Sequence, residues 1–161
     1  MPLTNSSSPR DYNNQTMSKS VHRMEKKFNA VYEQLDSMRV FALQAASEYS
    51  FSRNETYKIE LAMDEACSNI IDHAYSGEGK GPIFIQADLH PERLVFTLED
   101  HGQPFNPTAV PEPDLVSPLE QRKERGLGLY TMRAVMDEVR FEFPQPGVNR
   151  LIMVKKGQRK L

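Results

Sequence analysis

Glu65 and Asn69 stand four residues apart in the stretch Asp64-Glu65-Ala66-Cys67-Ser68-Asn69-Ile70-Ile71-Asp72-His73. On a helix that spacing puts both side chains on one face, one turn apart, with His73 a further turn along and Asp72 beside it. A carboxylate able to accept a proton, next to an amide oxygen able to ligate Mg²⁺, suits phosphoryl transfer, in which a metal neutralises phosphate charge and a base positions the nucleophile. Spacing alone favours the plainer reading, an ordinary solvated helix face.

Two further clusters carry polar chemistry. Glu99-Asp100-His101-Gly102 follows an apolar run of strand type. A carboxylate at a strand end can accept a hydrogen bond from the exocyclic amine of adenine, whereas guanine offers a carbonyl there and is repelled. Gly102 lets the backbone pass close to a flat base, although Asp-x-Gly is also a common turn at the end of a strand. In Arg125-Gly126-Leu127-Gly128-Leu129-Tyr130, glycines stand where a long loop enters a helix. Free N–H groups and the helix dipole at such a start attract phosphate oxygens, and a flexible helix entry has the same composition.

Other signals do not lead to chemistry. Gly77-Glu78-Gly79-Lys80-Gly81 follows a helix and lacks the Ser or Thr that a phosphate-binding loop places after its lysine, so it reads as a turn. The histidines His22, His73, His90 and His101 and the single Cys67 show no metal-ligand spacing, and no structural metal is expected. Met132 and Met136 read as core.

The elements that must position the three clusters follow from hydrophobic periodicity. A short strand is expected over residues 24–30 and an amphipathic helix over 32–49, on Leu35, Met38, Phe41, Ala42 and Ala45. A second helix, capped by Asn54, runs to Tyr75 on the face marked by Ile59, Met63, Ala66, Ile70 and Ala74. Strands over 83–89 and 94–99 form a hairpin, and a third helix over 126–137 leads to strands over 138–143 and 150–155. Residues 103–125 hold five prolines and many charges, too long and irregular for a simple connector, and read as a mobile loop. The fold class is α/β in the α+β sense: a two-layer sandwich with a mixed, largely antiparallel sheet and helices on one face.

With 161 residues, 39% of them hydrophobic, the chain suits one core. Residues 1–22 read as a disordered tail and 23–157 as the domain. Lys plus Arg (20) nearly balances Asp plus Glu (22), so no net field draws the chain to nucleic acid or an anionic membrane. A lone cysteine and the lack of a long apolar run point to the cytoplasm.

Together, Glu65-x-x-x-Asn69 on a helix, Asp100-x-Gly102 after a strand and Gly126-x-Gly128 at the next helix resemble the three ATP-binding boxes of the GHKL superfamily (Bergerat fold). The longer strings Asp64-Glu65-Ala66 to His73-Ala74-Tyr75, and Arg125-Gly126-Leu127-Gly128-Leu129 to Met136-Asp137, are similar in particular to the RsbW-like anti-sigma factor kinases. The resemblance implies an ATP- and Mg²⁺-dependent serine-protein kinase that phosphorylates an anti-anti-sigma (STAS-type) protein and also binds a sigma factor. Its alternative is a non-catalytic module that uses ATP only to shape its interface. By resemblance Glu65 is the general base, Asn69 the Mg²⁺ ligand and Asp100 the adenine reader. Asp72, His73, Gly102, Arg125, Gly126, Leu127, Gly128 and Leu129 complete the nucleotide site. Residues 106–125 form an ATP lid with Arg122, Lys123 and Arg125 as phosphate contacts, and a homodimer is implied. Two positions depart from the family pattern. Asp72 adds a carboxylate near the expected phosphates, and Gly147-Val148-Asn149 stands where many members have Gly-Thr. No histidine-bearing dimerisation helix precedes the domain, which argues against a self-phosphorylating histidine kinase.

Overall fold

Ser52 and Glu55 decide where the central helix begins. The Ser52 hydroxyl accepts the Glu55 N–H at 3.1 Å and the Glu55 carboxylate accepts the Ser52 N–H at 2.8 Å. This reciprocal pair satisfies two donors that a helix start otherwise leaves orphaned, a contribution of about 1 kcal/mol for the cap. The helix therefore starts at Arg53, one residue before the expected Asn54 cap, which lies inside it. In the computed structural model, residues 21–110, 114–118 and 127–161 are described. The expected tail lies almost wholly outside them, as do Arg122, Lys123, Arg125 and Gly126.

The described elements are β1 (His22–Asn29), α1 (Leu35–Ala46), α2 (Arg53–Asn69), β2 (Pro82–Leu89), β3 (Arg93–Asp100), α3 (Leu127–Val135), β4 (Glu138–Gln145) and β5 (Val148–Lys156). A 3-10 turn over Tyr32–Gln34 leads into α1. The second helix does not run regularly to Tyr75: after Asn69 the chain widens into a π-helical turn over Ile70–Ala74, where the Tyr75 N–H bonds the Ile70 carbonyl at 2.9 Å.

The five strands lie in the order β1-β2-β3-β5-β4, and all four pairings are antiparallel. Period-two alternation sends Ile83, Ile85, Ala87 and Leu89 of β2 and Leu94, Phe96 and Leu98 of β3 to the buried face. There they join Met38, Phe41 and Ala42 of α1, Ile59, Met63 and Cys67 of α2, and Leu129 and Met132 of α3 in one core. The helices therefore cover one face, as the two-layer reading requires. The other face carries ion pairs, Arg23–Asp88 at 2.7 Å and Arg150–Glu99 at 2.9 Å among them.

The last hairpin is longer than the periodicity suggests. Pro144 sits inside β4, an edge strand with no partner on its outer side, and at the register shift that falls between Glu142 and Gln145, two settings that tolerate a missing N–H. The turn shrinks to Pro146-Gly147, with Gly147 at φ +82°. Asn149 thereby becomes a strand residue directly opposite Asp100.

Candidate functional site

A concavity of about 310 Å³ opens between α2, α3 and the β3–β5 end of the sheet. Asn69 and His73 border it from the central helix, Asp100 and Asn149 from the sheet, and Gly128, Leu129 and Met132 from α3. Phe105, Val110, Phe141 and Phe143 complete an apolar wall, with the Phe105 and Phe141 rings 5.1 Å apart. A volume of this size holds part of a nucleotide, the base being its best apolar match.

Asp100 is 5% exposed. Its Oδ1 accepts the Gly102 N–H at 2.9 Å and the Asn149 amide at 2.8 Å. No described residue donates to Oδ2, so that oxygen is available to a ligand amine. Burial pushes the carboxyl pKa up, and the bonds from Asn149 and Gly102, with nearby His101, oppose that shift.

Gly102 has a structural reason to be glycine. A Cβ there would come within 2.3 Å of the Ala74 carbonyl oxygen in the π-helical turn, and the next residue, Gln103, donates its N–H to that same oxygen at 2.7 Å. The close approach is to backbone, so the sequence-based expectation of room for a base is not what the glycine first provides. Tyr75 adds a second clasp: its hydroxyl accepts the His101 N–H at 3.0 Å and donates to the Pro82 carbonyl at 2.7 Å. The π-helical turn thus holds the segment that follows Asp100 at the end of β3.

At the other end, Glu65 and Asn69 meet the start of α3. A Cβ on Gly128 would lie 2.9 Å from Glu65 Oε2 and 3.0 Å from Asn69 Nδ2. The glycine therefore leaves a cradle whose rim is a carboxylate, an amide and the first turn of a helix. Burial, then the neighbouring Asp64, raises the Glu65 pKa from its ordinary value. Asp64 itself reaches Arg39 only at 3.5 Å, and its Oδ1 is buried with no hydrogen-bond partner among the described residues.

The structure separates the predicted residues. Asn69, His73, Asp100, Gly128 and Leu129 border the cavity; Glu65 adjoins it through Gly128, and Gly102 supports it from behind. Asp72 does not join them: its carboxylate is exposed and accepts the Tyr32 hydroxyl, away from the cavity. Leu127 is the half-exposed first residue of α3, and Arg125 and Gly126 lie outside the described residues. The aromatic wall of Phe105, Phe141 and Phe143 escaped sequence reasoning, because one comes from the segment after β3 and two from β4, and only the packed fold brings them together.

Among the described residues no cluster of three or more His, Cys, Asp or Glu could hold a metal ion. A Mg²⁺ that kept its waters and took ligand phosphates needs only one or two protein oxygens, and the Asn69 amide at the Gly128 cradle fits that limited role. No described helix is long and apolar enough to cross a membrane.

Residues 28–155 match the family of histidine kinase-like ATPase domains. The serine-protein kinase RsbW of Bacillus velezensis is 32% identical over 131 residues, covering 78% of this chain and 81% of the relative. The enzyme of the same name from Bacillus mycoides is 32% identical over 127 residues, covering 76% and 79%. A crystal structure of the RsbU and RsbW domains of a Mycobacterium tuberculosis protein superposes with a TM-score of 0.60 at 17% identity, over 86% of this chain and 33% of that larger one, a likeness of fold. The chain belongs to the histidine kinase-like (GHKL) ATPase domains and, within them, to the RsbW-like family.

Proposed function

We propose that the chain is an ATP- and Mg²⁺-dependent serine-protein kinase that phosphorylates an anti-anti-sigma protein of STAS type and binds a sigma factor, working in the cytoplasm where such regulators reside. The observation that carries this reading is the division of one cavity: a buried carboxylate with a free oxygen at the sheet end, and Glu65 with Asn69 at the helix end, beside Gly128. The first suits the adenine amine and the second suits the phosphates.

In this reading Asp100 Oδ2 accepts the adenine amine while Phe105, Phe141 and Leu129 exclude water from the ring. Bound Mg²⁺ supplies charge neutralisation on the phosphates, and Asn69 is the protein oxygen that holds it. Glu65, with its pKa raised, accepts the proton of the incoming serine hydroxyl, a task for which a carboxylate gains basicity as its pKa rises. Arg125, Gly126 and Gly128, with the first turn of α3 from Leu127, wrap the phosphates. His73, which borders the cavity, completes this part of the site in the same reading.

Residues 106–125 act as the lid of the 23–157 domain, with Arg122 and Lys123 as further phosphate contacts. The root of that segment is already folded: Phe105 and Val110 pack against the core, and Asn106 caps a 3-10 turn over Pro107–Ala109 through the Thr108 N–H at 3.0 Å. Two copies of the chain form a dimer in the same reading.

Incubation with labelled ATP, Mg²⁺ and the anti-anti-sigma proteins of the same genome tests the reading. Transfer of label to a serine of one of them supports it. Nucleotide-dependent capture of a sigma factor with no transfer to any of them leaves a non-catalytic ATP-dependent binding module instead.

A further inference from the structure

Asn149 stands opposite Asp100 in the β3–β5 pairing and borders the cavity. Its Nδ2 lies 2.8 Å from Asp100 Oδ1, 3.1 Å from the Gly102 carbonyl and 3.3 Å from the Gln103 carbonyl. All three neighbours are acceptors. The amide can only point its nitrogen at them, because its oxygen in that place would meet three like partial charges. The side chain is therefore a directed donor, and it occupies the Asp100 oxygen that the Gly102 N–H also occupies.

We propose that Asn149 is a positioning residue for purine selectivity: by holding Asp100 Oδ1 it commits Oδ2, as an acceptor only, to the ligand, and so favours an adenine over a guanine nucleotide. The inference rests on the ATP reading above. A buried carboxylate deprived of a donor has two ways to fail. It can turn about its Cβ–Cγ bond, and it can take up a proton. Once protonated, it can donate to the carbonyl that guanine presents, so that discrimination is lost.

The sign of the pH effect follows. Burial raises the Asp100 pKa and the Asn149 bond is the largest of the influences that lower it, ahead of Gly102 and His101. Removing the amide lets the pKa climb, so protonation reaches Asp100 at a higher pH. The other groups facing this region are Tyr75 and His73 on the π-helical turn, with Glu99 and Arg150 paired on adjacent positions of β3 and β5. None of them is altered by the substitution. The difference between the two profiles therefore reports on Asn149.

The test is calorimetric titration of ADP and GDP in excess Mg²⁺, from acid to neutral pH, for wild type and Asn149→Leu. Wild type is expected to prefer ADP, and the variant to lose at least about tenfold of that preference, the scale on which a misplaced acceptor costs selectivity. The pH at which the preference is half lost should also move upward in the variant. Asn149→Ala serves if the leucine variant does not fold, and circular dichroism checks folding. Equal weakening of ADP and GDP at every pH overturns the proposal and makes Asn149 a plain structural contact. Wild type that binds neither nucleotide removes the ATP reading, and this inference with it. Wild type that prefers ADP, with a variant of unchanged ratio and midpoint, sinks the inference alone.

Discussion

The two ends of the cavity are built differently. At the sheet end, Asp100 is fixed by Asn149 and Gly102, and its loop is tied to the π-helical turn through Ala74 and Tyr75. At the helix end, the side chains of Glu65 and Asn69 have no hydrogen-bond partner among the described residues, and only Gly128 keeps space open against them. A preorganised base site selects a ligand without rearranging, because its donors and acceptors are already oriented before binding. Free side chains at the other end suit a centre whose partners arrive with the ligand. The contrast predicts that substitutions at the helix end change transfer more than binding, and substitutions at the sheet end the reverse.

The sharpest way to break that contrast is Glu65→Gln. Shape is nearly kept while the proton acceptor is lost, so serine phosphorylation should slow by about a hundredfold or more, with ATP affinity retained. Single-turnover transfer of labelled phosphate, read beside calorimetric affinity, checks it. Transfer at the wild-type rate removes the base role from Glu65.

Asp100→Asn should act at the opposite end, weakening ATP by about tenfold to a hundredfold, since one hydrogen bond from the adenine amine to a charged acceptor is worth roughly 1.5–3 kcal/mol. Titration of ATP and GTP would show the loss falling on ATP. An unchanged ATP affinity in this variant takes base reading away from the sheet end altogether.

Two alanines separate the ends by stability. Gly102→Ala forces a Cβ to within 2.3 Å of a backbone carbonyl, which cannot swing aside. Overpacking of that kind costs about 1–3 kcal/mol, visible in urea unfolding. Gly128→Ala meets only the ends of the Glu65 and Asn69 side chains, at 2.9 Å or more, so it should cost well under that in stability. Similar losses from both would mean that the helix end is as tightly built as the sheet end.

The smallest effect is expected from Asp72→Asn. Its carboxylate bonds Tyr32 and is exposed off the cavity, so ATP affinity should change by no more than about twofold, surface charges being strongly screened. A larger change in the same titration would bring Asp72 back among the residues that face the phosphates.

Much of this was legible in the residues. Leu35, Met38, Phe41 and Ile59, Met63, Ala66 announced two helices, β-type runs announced all five strands, and three polar clusters named Glu65, Asn69, Asp100 and Gly128. Such features depend on spacing within one element, and spacing is what a sequence records. The capping residue was misread because Ser52 and Asn54 are both good caps, and only the reciprocal bond to Glu55 chooses between them.

Local spacing determined which side chains could do chemistry; tertiary structure decided which of them meet. Asn149 reaches Asp100 across 49 positions because the register of β3 on β5 sets them opposite, and register is a property of the assembled sheet. Asp72 turns toward Tyr32, and Gly102 presses on Ala74, around a π-helical turn that leaves no periodic mark in residue types. The physical reason is range: hydrophobic periodicity acts within an element, whereas these contacts exist only after the helix layer has packed on the sheet.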